Sequence, residues 1–377
     1  MEKKQEVFII GAGRLGKGFI GEVFEAANWR VTFLDKDPQV VAALNQGPYQ
    51  VEISTTEEIY TREVTNYQTF LTDDSHPESD SFLTADVVMV PVYPEDLPEV
   101  FSYLLADFQL MRQQAADKKL DIILLTNQTY LVPKMYQYLK DQVDAAFYTW
   151  IEDHIFIKDA IIRRSTDGTS ASARKLFSMA AASLLIETPL HADLAAVNWM
   201  EPAENVPLLK EIKIYTLNGP HAATAFIGHY TGYSDIPSTE ADQENLRFIQ
   251  EVAEEINQAC IKEYNLTQEE LTRLSAIPKL KGEVPDSIRR VAFDPIRKLS
   301  LKDRLCGPIL LCEKHQLPHS ALDKAVALGF KYKDEEDSSS LELQKLIADS
   351  GIAQAVEEIT GLDPQLVANI VKEYEKL

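Results

Sequence analysis

The chain has 377 residues, 45% of them hydrophobic, which is enough for two domain cores at roughly 100–200 residues per domain. Its net charge of −22 repels nucleic-acid phosphates and anionic membranes, so we expect neither as a partner. Three cysteines without a Cys-x-x-Cys pair give no zinc signature, and no apolar run approaches the ~20 residues that span a bilayer. Together with the charged N-terminal residues, these features predict a cytoplasmic protein.

The first 150 residues alternate between short apolar runs and helical stretches. Strands are predicted at residues 7–10, 29–34, 84–90, 121–125 and 146–151, and helices at 16–27, 40–45 and 97–112. A run such as 7–10, apolar without alternation, is typical of a strand that is buried on both faces of a parallel sheet. The alternation therefore predicts an α/β domain of the Rossmann type.

The pattern changes after residue 164. Residues 165–170 are small and polar and predict a loop, whereas helical periodicity dominates from about residue 190, with long helices at 238–263 and 340–359. Residues 334–340 predict an exposed loop, and His76 lies in an acidic segment that we expect to be exposed. The predicted organisation is an NAD-binding Rossmann-type domain at 1–190 and a mostly α-helical substrate and catalytic domain at 191–377.

A glycine-rich loop follows the first predicted strand. Its G-x-G-x-x-G pattern allows a tight turn, a close approach of the backbone to a pyrophosphate, and close packing of helix on strand. An acid at the end of the second strand, Asp35, is suited to accept hydrogen bonds from ribose hydroxyls and repels a 2′-phosphate, which favours NAD. Lys36 and Arg14 lie close by in sequence and are compatible with NADP. The predicted cofactor-binding residues are Gly11, Gly13, Arg14, Leu15, Gly16 and Asp35.

The segment from Lys213 to His221 is the second informative stretch. In an ideal α-helix, Lys213, Asn218 and His221 would lie at about 0°, 140° and 80° around the axis, spread over ~12 Å. A lysine with a lowered pKa can act as a general base, an amide can donate to a developing oxyanion, and a histidine can hold the reacting oxygen. The alternative is a helix with a surface lysine, a capping asparagine and a packed histidine.

This K-x-x-x-x-N-x-x-H pattern resembles the signature of the polyol-specific long-chain dehydrogenases. The resemblance extends over essentially the whole chain, through the opening G-A-G…G-K-G-F-I-G loop, W-I-E-D-H at 150–154, R-K-L-S at 297–300 with D-R-L at 303–305, and L-P-H at 317–319. It implies that Lys213 is the catalytic base and that Asn218 and His221 position the reacting oxygen, with Asn127 sharing the oxyanion role. It also implies hydride transfer without a metal, and we predict no metal site.

Three departures from the family pattern surround the expected substrate site. Thr126 stands where the family usually has an acid, Arg163 stands where it has an aspartate, and Phe293 stands where it often has an arginine. Residues 289–304 carry six basic and two acidic side chains, a local basic cluster in an acidic chain. We hypothesise that Arg290, Arg297 and Lys298 bind a phosphate or carboxylate of the substrate; the alternative is a solvated basic surface.

The sequence thus predicts NAD-linked interconversion of a polyol and a ketose. The polyol would be a hexitol phosphate such as mannitol 1-phosphate, and the ketose one such as fructose 6-phosphate. One alternative is a reductase of a hexuronate or an unphosphorylated ketose within the same family. Another is an NAD-binding regulatory protein without activity, which the three departures motivate. We expect a small-molecule partner and a monomer or small homo-oligomer.

Overall fold

The computed structural model describes residues 4–55, 57–163, 165–172, 174–179, 183–275 and 286–377, with the backbone alone for 165–172. The described residues up to Lys210 form one compact unit, and those from Glu211 onward form a second. No helix within the described ranges is long and apolar enough to cross a lipid bilayer.

The first unit contains the strands and most of the short helices. Its strands are β1 (Glu6–Ile10), β2 (Arg30–Asp35), β3 (Tyr49–Ser54), β4 (Ile59–Val64), β5 (Tyr67–Leu71), β6 (Val87–Val90), β7 (Leu120–Leu124), β8 (Ile155–Ile162), β9 (Ser165–Ser172), β10 (Lys175–Met179), β11 (Leu184–Glu187) and β12 (Met200–Ala203). Its helices are a π-helical segment (Gly16–Gly21), α1 (Glu22–Ala26), α2 (Pro38–Leu44), α3 (Ser79–Thr84), a 3₁₀ turn (Pro94–Asp96), α4 (Leu97–Gln114), α5 (Leu131–Gln142) and α6 (Ala145–His154).

The main sheet has the strand order β12-β11-β8-β7-β6-β1-β2-β5. Its strands β5-β2-β1-β6-β7-β8 are parallel and follow the 3-2-1-4-5-6 order of dinucleotide-binding folds. Alternate side chains of β1 enter two different cores, with Val7 and Ile9 on one face and Phe8 and Ile10 on the other. The prediction of an N-terminal Rossmann-type domain is confirmed. Strand β12 extends this sheet beyond the domain boundary that we predicted after residue 190.

Two predicted elements of the first unit are wrong. Residues 146–151 lie in helix α6 rather than in a strand: Asp144 caps the helix by accepting from the Phe147 amide at 2.9 Å, and Phe147 and Ile151, four residues apart, bury one face. Residues 165–170 lie in β9, at the edge of a second sheet of order β4-β3-β10-β9, rather than in a loop. An edge strand tolerates polar residues, so composition gave no strand signal there.

The second unit is helical, as predicted. The division between the units falls within α7 (Val206–Lys213), which continues through a π-helical segment (Ile214–Asn218) into α8 (Gly219–Thr231). The remaining helices are α9 (Ile236–Ala241), α10 (Gln243–Tyr264), α11 (Gln268–Ser275), α12 (Ile288–Ala292), α13 (Pro295–Lys298), α14 (Cys306–His315), α15 (Ser320–Lys331), α16 (Ser338–Ser350), α17 (Ile352–Thr360) and α18 (Pro364–Lys376).

Helix α8 forms the centre of the second unit. Its residues from Ala222 to Gly228 are all buried, and it packs against α9, α10, α12 and α15. A helix that is apolar on all sides is stable only when other helices surround it. The two predicted long helices are each divided, at Asp242, which caps α10, and at Gly351, which has a φ of 82°.

Candidate active site

The glycine-rich loop lies between the carboxyl ends of β1 and β6, where the strand order of the main sheet reverses. A Cβ atom on Gly16 would lie 2.0 Å from the Gly11 carbonyl oxygen, so only glycine permits this close turn. A Cβ atom on Gly13 would meet no protein atom within 4 Å, which leaves its backbone open to a ligand. The loop leads directly into the π-helical segment Gly16–Gly21. This arrangement fits a dinucleotide pyrophosphate at the reversal point of the sheet.

Asp35, at the end of β2, is fixed by two backbone amides. Its Oδ2 accepts from the Ala12 amide at 2.6 Å and its Oδ1 from the Asp37 amide at 2.9 Å. Each carboxylate oxygen keeps a second lone pair, so the group can still accept from a ribose. Lys36 is ion-paired with Asp96 at 2.9 Å and Glu99 at 2.8 Å, and these hydrogen bonds raise its pKa. A 2′-phosphate at this position would therefore meet three carboxylates and a lysine that is already neutralised.

Asn127 is exposed and follows the carboxyl end of β7. It therefore belongs to the same edge of the sheet as the glycine-rich loop and Asp35, the edge at which open α/β sheets bind ligands. Thr126, just before it, is buried, and its hydroxyl approaches the Gln128 carbonyl oxygen at 3.5 Å. A buried threonine at this position supplies a neutral hydroxyl where a carboxylate would add charge.

Lys213 and Asn218 are joined by a π-helical segment that sequence reasoning missed. Lys213 ends α7, and the segment Ile214–Asn218 carries the chain into α8. The i→i+5 hydrogen bonds of a π-helix rotate the chain less per residue than an α-helix does, so residues five apart come closer to one face. The predicted angle of about 140° between Lys213 and Asn218 is therefore too large. Pro220, which has no N–H to donate, lies in the first turn of α8.

His221 lies on α8 with both acidic and basic neighbours. Its Nε2 is 3.4 Å from Asp286 Oδ2, and Asp286 also forms an ion pair with Arg290. Burial lowers the pKa of His221, and the charges of Arg290 and Arg304 lower it further, against the opposite effect of Asp286. The lowered pKa favours the neutral imidazole, which can accept one hydrogen bond and donate another.

The predicted basic cluster divides into exposed and buried members. Arg290 is 68% and Arg297 48% exposed, and Arg297 Nε donates to Asp294 Oδ2 at 2.7 Å. Lys298 is buried at 5% exposure; burial, together with the charges of Arg304 and Arg297, lowers its pKa to about 7. Arg290 and Lys298 therefore do not form one continuous surface. Arg290 and Arg304 both lower the pKa of His221, and Arg304 also lowers that of Lys298.

Arg304 is the residue of this site to which sequence reasoning gave no role. Its guanidinium is 12% exposed, and its Nε donates to Asp303 Oδ1 at 2.7 Å. A Cβ atom on Gly219 would lie 2.7 Å from the Arg304 carbonyl oxygen, so the glycine between Asn218 and Pro220 permits the chain at 304 to approach α8. The D-R-L motif at 303–305 and the glycine in the α8 motif were both visible signals.

A buried ion pair lies one turn before Lys213. Lys210 Nζ donates to Asp159 Oδ1 at 2.5 Å, and the side chains are 2% and 4% exposed. Burial lowers the pKa of Lys210 and raises that of Asp159, and the ion pair opposes both shifts. This contact fixes the part of α7 in the first unit to β8. Its signal in the sequence, an aspartate within an apolar strand, went unnoticed.

The other histidines of the motifs have structural partners. His154 Nδ1 is 2.8 Å from the Trp150 carbonyl oxygen, and the two rings are stacked. His319 lies 3.0 Å from Asp323 and 2.7 Å from Glu313. The prediction that His76 is exposed is wrong, because its ring stacks on Tyr103 and its side chain is only 18% exposed.

The strand order and the geometry of the glycine-rich loop define a dinucleotide-binding class of protein, with a Rossmann-type unit followed by a helical unit. The models of the mannitol dehydrogenase Rossmann domain and C-terminal domain match residues 5–182 and 205–377. The two matches together cover nearly all of the sequence, and the chain belongs to the mannitol dehydrogenase family.

Solved structures have the same fold at low identity. A Pseudomonas fluorescens mannitol 2-dehydrogenase, in a ternary complex with NAD and D-mannitol, has a TM-score of 0.77 and 18% identity over 100% of this chain and 92% of its own. A D-sorbitol dehydrogenase in substrate-free form has a TM-score of 0.72 and 15% identity over 99% and 93%. A D-mandelate dehydrogenase, in a ternary structure with NADH and anilino(oxo)acetate, has a TM-score of 0.56 and 11% identity over 90% and 99%.

Proposed function

We propose that the protein is an NAD-dependent polyol dehydrogenase that interconverts a hexitol phosphate and a ketose phosphate, as a mannitol-1-phosphate 5-dehydrogenase does. The observation that carries the proposal is the joint occurrence of the glycine-rich loop with its fixed Asp35 and the π-helical Lys213–Asn218 segment in a member of the mannitol dehydrogenase family. Gly11, Gly13 and Gly16, with Arg14 and Leu15, would hold the pyrophosphate, and Asp35 the adenosine ribose. Bound NAD supplies the hydride acceptor.

Three side chains of the second unit act on the substrate oxygen. Lys213 removes the hydroxyl proton as alkoxide character develops on the oxygen. General-base catalysis of this kind typically increases the rate by roughly 10²–10⁴-fold. Asn218 donates to that oxygen, and by family resemblance Asn127 shares this role. His221, kept neutral by burial and by its basic neighbours, fixes the oxygen without adding a second positive charge.

The basic residues support a phosphorylated substrate. A phosphate dianion next to Lys298 would favour its protonated form, because an adjacent negative charge raises the pKa of a lysine that burial has lowered to about 7. Arg290 and Arg297 offer guanidinium groups that can bind phosphate in bidentate fashion. Arg163, in the place of an acid, has the charge sign that suits the same substrate.

A substrate panel tests this function. We expect NADH oxidation with fructose 6-phosphate to exceed that with fructose or hexuronates, and Lys298→Ala to raise KM for the phosphate substrate more than kcat falls. Preference for fructose or a hexuronate, with Lys298→Ala unchanged, would identify the unphosphorylated or hexuronate reaction instead. NAD binding by calorimetry without turnover on any polyol or ketose would identify a regulatory protein.

A further inference from the structure

We propose that His76, Glu78 and Asp107 form a structural site for a divalent cation, best suited to tetrahedral Zn²⁺, in the first unit. The three residues lie in the segment between β5 and α3 and on helix α4, and take no part in the glycine-rich loop or in the Lys213 site. Each offers one ligand atom, and these atoms lie within 4.8 Å of one another. No other such cluster occurs within the residues that the structure describes.

Burial makes this cluster unlike a group of surface acids. Glu78 is 0% and Asp107 1% exposed, and burial raises the pKa of Asp107, so a nearby positive charge would stabilise the two carboxylates in their charged form. The only cation that contacts them within the described residues is His76, when it is protonated. A divalent cation would neutralise both carboxylates and leave the imidazole neutral, the form that binds metals.

Each of the three side chains has a buried atom that makes no hydrogen bond to the described part of the chain. These atoms are His76 Nδ1, Glu78 Oε2 and Asp107 Oδ2. Buried polar atoms are nearly always hydrogen-bonded, so three unsatisfied atoms in one cluster indicate a missing partner. An ion at their centre would satisfy all three at once.

The spacing agrees with a tetrahedral ion. The ligand atoms His76 Nδ1 and Asp107 Oδ2 are 3.4 Å apart, which is longer than an ordinary hydrogen bond. Two ligands at 2.0–2.1 Å from a tetrahedral Zn²⁺ lie about 3.3 Å apart, close to this separation. Nitrogen and oxygen donors are among the ligands that Zn²⁺ takes in proteins, and a water would complete the coordination.

The remaining carboxylate oxygens are already oriented by neighbouring hydroxyls. Tyr103 donates to Glu78 Oε1 at 2.7 Å, and Ser79 donates to Asp107 Oδ1 at 2.6 Å. Hydrogen bonds of this kind fix the ligands of metal sites. The cation would thus fasten the 72–78 segment, which follows β5 at the ligand-binding edge of the sheet, to α4.

Titration of the chelator-treated full chain with Zn²⁺, in competition with a chromophoric chelator, tests the site. We expect one Zn²⁺ per chain. The affinity for Zn²⁺ should fall by more than about 100-fold in His76→Asn and in Asp107→Asn, because mutating even a residue outside the ligand shell lowers metal affinity by about 10–100-fold. Asparagine suits position 76 because the backbone there has a φ of 46°. His315→Asn, which removes another histidine paired with a carboxylate, is the control and should bind Zn²⁺ as the wild type does.

Co²⁺ in place of Zn²⁺ provides a test that needs no variant. The wild type should give the intense visible absorption of a tetrahedral site, and Zn²⁺ should raise its melting temperature in a concentration-dependent way. Absence of Zn²⁺ binding by the wild type, or unchanged binding in His76→Asn, would overturn the proposal. Weak, octahedral-type Co²⁺ absorption would equally contradict it.

Discussion

The same substitution at two glycines of the nucleotide loop should have two different consequences. In Gly16→Ala the new methyl group would lie 2.0 Å from the Gly11 carbonyl oxygen, a contact with backbone that cannot rotate away. Overpacking of this kind costs about 1–3 kcal/mol of folding free energy, which exceeds the ~0.4–1 kcal/mol that alanine gains by restricting the unfolded chain. Gly16→Ala should therefore both destabilise the protein and weaken NAD binding.

In Gly13→Ala the methyl group would meet no protein atom within 4 Å. The free energy of unfolding should be unchanged or rise by up to ~1 kcal/mol, because alanine restricts the unfolded chain and meets no clash here. NAD affinity should nevertheless fall by at least about tenfold, ~1.4 kcal/mol, because the methyl group occupies the space through which the pyrophosphate approaches the backbone. Urea unfolding and calorimetry with NAD measure the two quantities separately. Wild-type NAD affinity in Gly13→Ala, or wild-type stability in Gly16→Ala, would refute this account of the loop.

Three further predictions concern charged groups. Lys210→Met should destabilise the protein by about 3–5 kcal/mol in urea unfolding, because it leaves Asp159 charged and buried. Lys213→Met, at a half-buried position, should cost less than ~1 kcal/mol. Similar losses in the two variants would show that the buried ion pair is not the reason. Asp35→Asn should lower the ratio of kcat/KM for NAD to that for NADP by roughly tenfold, since the charge that repels a 2′-phosphate is gone; an unchanged ratio would show that Asp35 does not select the cofactor. Hydrogen bonding to Asp323 raises the pKa of His319 to about 9, above its ordinary ~6.5. Protonated His319 therefore stabilises the folded state, by on the order of 3 kcal/mol, below pH ~6.5, and this stabilisation is lost as the pH rises through about 9. The difference in unfolding free energy between the wild type and His319→Gln should narrow over that interval.

The Rossmann-type unit was predictable because its signals are local. Apolar strands such as Val7–Ile10 and the glycines after them determine both the strand and the turn, and the parallel sheet of the observed order follows from repeated strand–helix alternation. The errors arose where a local pattern fits two structures. The apolar run 146–151 suits a strand or a buried helix equally, and the cap of Asp144 decided for the helix.

The sequence proposes the residues of the candidate site but does not predict their geometry. The family pattern points to Lys213, Asn218 and His221, but no helical periodicity predicts the π-helical segment that changes their relative angles. The environment of His221 depends on Asp286 and Arg304, far along the chain, which only the tertiary fold of the second unit brings to α8. The cluster at His76 was missed for the same reason, because Asp107 lies about thirty residues away on α4.

The most direct test of the central claim, that Lys213 is the general base of an NAD-dependent polyol dehydrogenase, is the turnover of Lys213→Ala with fructose 6-phosphate and NADH. We expect a fall in kcat of roughly 10²-fold or more, with NAD affinity and the melting temperature close to those of the wild type. Near-wild-type kcat in Lys213→Ala would contradict it.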